Sequence, residues 1–148
     1  MKLLLGFFIA FCSMANYHSI DSGQSFDSFR APSNTPLLET KWKLLELSNI
    51  LIPKNATQKE MYFILKSDST VKGDGGCNSF SGNYGLGKDN KISFGEMIRT
   101  NLFCAGIDYE RKFLNALSKA DHYEIKGDTL SLKNQMIILA KFVAGSKQ

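Results

Sequence analysis

Histidine, tryptophan, proline and cysteine are all scarce in this chain of 148 residues, which has one Trp, two His, three Pro and three Cys. Each scarcity closes a route. Without a close Cys-x-x-Cys spacing, and with only His18 and His122 to add, a zinc site of the usual Cys and His ligands has little to draw on. No apolar run reaches the roughly 20 residues of a membrane-spanning helix. The lysines, among them Lys54, Lys66, Lys72 and Lys88, stand singly with no aromatic-basic repeat, so the concentrated positive footprint of a nucleic-acid binder is missing. What is present is ordinary for one globular domain: 43% hydrophobic and 22% charged residues, which exclude a disordered or membrane-embedded body. Phenylalanine is abundant at 11 copies, and aromatic-rich sequence with few prolines leans towards β structure.

The first fifteen residues have a charge at Lys2, an apolar run from Leu3 to Phe11, and then Ser13-Met14-Ala15. A charged start, an apolar centre and a small-x-small end are the layout of a secretory signal peptide, so residues 1–15 are read as an export signal. Cleavage after Ala15 gives a soluble exported protein. Cys12 offers a second route, a lipid-modified mature N-terminus, although Phe11 before it is bulkier than the small residue of a bacterial lipobox. Loss of Lys2 leaves 17 of the 18 basic residues against 14 acidic ones, a formal charge of +3, which is mild. It also leaves Cys77 and Cys104. In an oxidising compartment such a pair reads as a disulfide, subject to geometry that sequence does not supply.

Residues 16–37 are polar, turn-forming and aperiodic, which describes a flexible tether. The folded body is expected over 38–145. Strands are expected in "KWKLLEL", in "NILIP" up to Pro53, in "MYFIL", in "STVKGD" and on both sides of a Lys88-Asp89-Asn90 turn. Phe113, Leu114, Leu117 and Ala120 fall at helical spacing, which predicts one helix over about 108–120, with Asp108 as N-cap and Glu110 favouring the helix dipole. Three more strands follow, joined by turns at 126–128 and 133–135. The fold class is α+β: a strongly curved antiparallel sheet or partly closed barrel of about 7–8 short strands with one helix.

The stretch from Gly73 to Tyr84, "GDGGCNSFSGNY", carries four of the 12 glycines. A phosphate cradle needs such glycines at a helix N-terminus and, in its P-loop form, a following Gly-Lys-Ser/Thr. Here the lysine is absent and strand-like sequence follows, so the glycines are read as backbone chemistry. Cys77 as a nucleophile would need a base, and His122 is the one histidine of the body. Ser79 and Ser81 lack a nucleophile-elbow pattern, and nothing in the spacing of Asp74, Glu96, Asp108 and Glu110 pairs two carboxylates.

Taken in order, these blocks resemble the META domain, or HslJ-like, family of bacterial envelopes and some parasites, from about Thr40 to Val143. The matching positions are a tryptophan strand at Trp42, then Gly73, Gly76, Cys77, Asn78, Phe80, Gly82 and Tyr84, then Thr100 before Cys104, then a helix with Glu110, Phe113, Leu114 and Leu117, and closing strands with Tyr123, Leu130, Leu132 and Leu139. One departure is Phe103, where the family often has a small residue, and this touches the packing around the cysteine. The resemblance implies an exported or envelope-attached domain, linked in some members to heat shock, novobiocin tolerance, motility or virulence. It implies no reaction, cofactor or catalytic residue.

The expectation is therefore a monomeric, non-enzymatic envelope module of the periplasm or exterior, without cofactor or metal, serving stress or antibiotic tolerance or binding. Its partner is expected to be an envelope protein or a hydrophobic small molecule received on the concave face of the sheet. The alternatives are a small secreted hydrolase or thiol enzyme using Cys77 or His122, and a structural lipoprotein anchored at Cys12, its one means of holding a membrane.

Overall fold

Period-two alternation decides which face of each strand is buried: Leu130 and Leu132 are fully buried while Ser131 between them is not, and Ala140 and Phe142 repeat the pattern around Lys141. The computed structural model describes residues 34–105 and 107–145. The export signal, Cys12 and the tether as far as residue 33 lie outside the described residues. In chain order come β1 (Trp42–Leu47), β2 (Ile50–Leu51), β3 (Tyr62–Leu65), β4 (Thr70–Asp74), β5 (Ser79–Leu86), β6 (Ile92–Phe94), β7 (Ile98–Arg99), α1 (Ile107–Lys119), β8 (His122–Lys126), β9 (Thr129–Asn134) and β10 (Ile137–Ala144).

Eight strands pair antiparallel in the order β6-β5-β4-β3-β1-β10-β9-β8, with the two-residue β2 and β7 added beside β1 and β5. The two ends meet. Lys91 bridges His122, the Ile92 amide donates to the Asp121 carbonyl at 3.0 Å, and the Tyr123 amide donates to the Asn90 carbonyl at 2.9 Å. The sheet is thus a nearly closed barrel with a single described helix, the α+β class expected from the pattern. Curvature comes partly from two bulges, at Leu45 in β1 and Leu139 in β10, each an extra residue against its partner strand. Tight turns supply the rest: Asp89 and Asn90 both have positive φ (59° and 57°), which a two-residue hairpin turn requires and which Asp and Asn tolerate.

The concave face is core. Trp42, Phe63, Leu65, Val71, Leu130, Leu132 and Phe142 fill it at full burial, and α1 covers it with Phe113, Ala116 and Leu117. Edge-to-face contacts link Phe63 to Phe142 at 4.9 Å and Phe80 to Phe113 at 5.8 Å. Trp42 buries its ring and still satisfies its indole N–H, which donates to the Leu37 carbonyl at 2.9 Å. A ligand expected on the concave face would have to displace these side chains.

Two local expectations change, at Asp108 and at residues 34–37, and the glycine stretch falls on two strands and the turn that joins them. Asp108 lies inside the first turn of α1, paired with Arg111 at 2.6 Å, because the helix starts at Ile107. The stretch from Gly73 to Tyr84 is mostly strand, with Gly73 and Asp74 closing β4 and Ser79 opening β5. Residues 34–37, polar enough to suggest tether, are fastened to the body: the Thr35 amide donates to the Gly127 carbonyl at 2.8 Å and the Gly127 amide to Asn34 Oδ1 at 3.0 Å.

Acidic side chains form ion pairs on the outside, at the strand ends for Glu39 and Glu60 and across β8 and β9 for Glu124. Lys66 and the Ser67 amide hold the Glu39 carboxyl below its ordinary range. Burial works against ionised Glu60, yet Lys41 and Lys43 outweigh it and the net direction is down. Lys133 and Lys126 lower Glu124 likewise. For carboxyls whose folded pKa is depressed, the stabilisation is complete above the unfolded value of about 4.5 and is lost as pH falls through the folded values. Urea midpoints should therefore be flat from pH 7 to about pH 5 and fall below about pH 4.5.

Candidate functional site

The turn between β4 and β5 puts Gly75, Gly76, Cys77 and Asn78 against the start of α1, and the carboxylate of Glu110 enters the turn. Glu110 is 1% exposed. It accepts from the Asn78 amide at 2.7 Å, from Asn78 Nδ2 at 3.0 Å and from Arg99 at 3.2 Å. Asn78, equally buried, uses its whole side chain: Oδ1 accepts from the Thr100 hydroxyl at 2.8 Å and the Leu102 amide at 2.6 Å, and Nδ2 also donates to the Leu102 carbonyl at 3.2 Å. Asp74 caps the other side, accepting from the Gly76 amide at 2.9 Å and the Ser79 hydroxyl at 3.1 Å, with Lys59 at 3.5 Å.

The glycines make room for these groups. A Cβ on Gly75 would sit 2.5 Å from Glu110 Cγ, and Gly76 has φ of 94° with Thr57 packed 2.6 Å from where its Cβ would be. The N–H groups that a phosphate would have sought are taken by the protein's own carboxylates, Gly76 by Asp74 and Asn78 by Glu110. Among the described residues no buried side-chain nitrogen or oxygen lacks a hydrogen-bond partner. The buried side chains of the corner are therefore paired within the protein.

Cys77 and Cys104 form a disulfide with Cα atoms 5.9 Å apart, within the usual span of about 4.4–6.8 Å. Phe103 is 98% exposed, so the departure before Cys104 leaves the packing around the bond untouched. Gly73 lies opposite Phe80 in the β4–β5 ladder and Gly82 opposite Val71. Tyr84 donates its hydroxyl to the Lys66 carbonyl at 2.6 Å, and burial, then the Asp68 and Glu39 carboxylates, push its phenol pKa up. Phe80, Phe113 and Leu117 are core, and Trp42 closes the far side.

The catalytic candidates are not brought together. Cys77 is bonded near the N-terminal end of α1 and His122 follows its C-terminal end, with 13 helical residues, about 20 Å, between. His122 Nδ1 meets Asp121 at 2.9 Å, and that contact, against burial and with help from the Gln135 amide, lowers the Asp121 carboxyl. The Ser79 hydroxyl turns to Asp74. Asp74, Asp108 and Glu110 each pair with a cation, Glu96 is exposed, and no two of these carboxylates share a hydrogen bond. No group of three His, Cys, Asp or Glu able to hold a metal occurs among the described residues.

A groove that the sequence pattern did not single out runs between the β1–β2 hairpin and α1. Its volume is about 380 Å³. Leu47, Ile52, Ala116 and Leu139 form an apolar floor, Tyr109 and Ile50 the sides, and Lys112, Asn115 and Lys119 the rim. Tyr109, Lys112, Ala116 and Lys119 line up because they recur three or four residues apart on one helix face. Leu139 is the bulge residue of β10. Ile50 is 69% exposed on a two-residue strand, an apolar side chain held up against the opening.

A family model described as META domain matches residues 35–144. No curated protein matches the chain. Among solved structures, an NMR structure of a protein from Burkholderia xenovorans is similar at 24% identity and TM-score 0.61, over 75% of this chain and 85% of that one. A crystal structure of a DUF4847 family protein from Bacteroides vulgatus ATCC 8482 is similar at 17% identity and TM-score 0.55, over 76% and 96%. At these identities the likeness is one of fold.

Truncating Glu110 strands the donors of Asn78, each at about 1–3 kcal/mol. Glu110→Ala, which strands both Asn78 donors, should lower stability in urea by more than Arg99→Ala, which removes one of the three donors that meet the buried carboxylate. Reducing the disulfide, which joins residues 27 apart, should cost a further 3–4 kcal/mol or about that. Equal losses for the two single variants would contradict this ranking.

Proposed function

The chain belongs to the META domain family, and from that premise we propose that it is a non-enzymatic, extracytoplasmic binding module of the cell envelope whose working face is the groove between β2 and α1. The observation that carries the reading is the groove: about 380 Å³, apolar at its floor, polar at its rim, and overhung by the exposed Ile50. Small-molecule sites combine these features, in volumes of roughly 300–1,000 Å³. The glycine corner supports it from the other side, since its polar atoms are consumed by the fold and its thiols by a disulfide. A disulfide suits an oxidising compartment, in keeping with the signal-like N-terminus. No described helix is long and apolar enough to cross a membrane. A module that takes up apolar compounds in the envelope would raise tolerance to hydrophobic stress agents and antibiotics, the role that the family resemblance suggests.

The neutral dye N-phenyl-1-naphthylamine should brighten on binding the purified protein. Ile50→Asp and Asn115→Trp, both at exposed positions, should weaken the dye by about tenfold or more, the scale of removing or blocking one apolar wall. Unchanged binding in both variants would move the site away from the groove. For the export half of the proposal, mass spectrometry of the mature protein should find Asn16 at the N-terminus. An acylated Cys12 there would establish the anchored lipoprotein instead, and an intact Met1 would overturn export.

A further inference from the structure

Resting on the groove as the binding face, we infer that its ligand is a single-chain amphiphile with a free carboxylate: the chain lies on Leu47, Ile52 and Leu139, and the carboxylate meets Lys112 and Lys119. The charges lining the groove are of one sign. Both charged residues in its wall are lysines, and no carboxylate lines it. Some lysines of this surface are neutralised by near neighbours, as Lys141 is by Glu46 at 2.7 Å and Lys133 by Glu124 at 2.6 Å, while among the described residues Lys54, Lys72, Lys88 and Lys91 stand unpaired but do not line this groove. Among the described residues neither Lys112 nor Lys119 takes part in such a pair. An apolar trough with an uncompensated positive rim is complementary to a molecule that is apolar along its length and anionic at one end.

Geometry narrows the class further. Seven residues separate the lysines, about 10.5 Å along the helix, so flexible four-carbon stems from both converge on one anion placed between them. Asn115 stands on the same rim and offers an amide donor to the second oxygen. A volume of about 380 Å³ lies near the bottom of the small-molecule range, which suits one alkyl chain rather than the two of a membrane phospholipid. Ile50, otherwise exposed to water on its short strand, would be covered by that chain.

Three probes share one alkyl chain and differ in head charge: dodecanoate, dodecanol and dodecyltrimethylammonium, each titrated below its micelle concentration into ¹⁵N-labelled protein. Dodecanoate should shift the amide signals of Ile50, Ile52, Asn115 and Leu139 and bind at least about tenfold more tightly than the other two, because a charge-assisted contact is added to the same burial. The double variant Lys112→Gln/Lys119→Gln changes only exposed side chains. It should bring dodecanoate down to the affinity of dodecanol and leave dodecanol unchanged. Equal binding of all three probes by the unmodified protein would overturn the carboxylate and leave the apolar groove standing. If no probe moves the groove signals, the groove itself is overturned as the working face.

Discussion

A carboxylate taken out of water costs several kcal/mol unless donors meet it. Glu110 is met by the amide and side chain of Asn78 and by Arg99, and Asn78 in turn holds Thr100 and both backbone groups of Leu102. This one contact joins the β4–β5 turn to two parts of the chain that lie 22 and 32 residues further on, the segment entering the helix and α1 itself. The Cys77–Cys104 bond ties the same parts covalently. Glycine is required beside Glu110 because any side chain on Gly75 would occupy the space of the glutamate stem.

The consequence lies on the flank of the helix next to its inward face, with Ala116 at the boundary. With Glu110, Phe113 and Leu117 turned inward, Tyr109, Lys112 and Lys119 turn towards the β1–β2 hairpin. The far end of α1 is held too, where Asn134 donates to the Lys119 carbonyl at 2.7 Å. A helix pinned at both ends makes one rigid wall of the groove, and the hairpin, whose outer strand has two residues, makes the other. Fold and groove are therefore linked through helix placement: the corner sets where α1 lies, and α1 sets the spacing of the lysines over the apolar floor.

Much of this was legible in the sequence, and the boundary is physical. Hairpins and helix follow from local periods, so the runs around Trp42, Phe63 and Leu132 and the stripe of Phe113 and Leu117 read directly. Partial closure followed from the many short strands, but which ends meet did not, since that depends on Ile92 and Tyr123 finding partners across distant strands. Cys77 and Asn78 stood out by composition, but Glu110 was assigned to the helix dipole because its partner is 32 residues away. The groove was hidden for two reasons. Lys112 and Lys119 look like any solvated helix face, and Leu139 lines the groove from a bulge that no residue pattern announces. The "NILIP" run was the one visible signal, an apolar strand too short to be buried.

The most direct test of the central claim is a double-mutant cycle between Asn78 and Glu110, using Asn78→Ala, Glu110→Ala and the double variant, with stability read from urea unfolding of the oxidised protein. Because Asn78 Nδ2 donates to the Glu110 carboxylate, the losses should fall short of additivity by a coupling of about 1–3 kcal/mol, while the double variant still loses the bonds of Asn78 to Thr100 and Leu102. Losses that add to within about 0.5 kcal/mol would show that the two side chains act independently, and the corner would no longer explain where the helix lies.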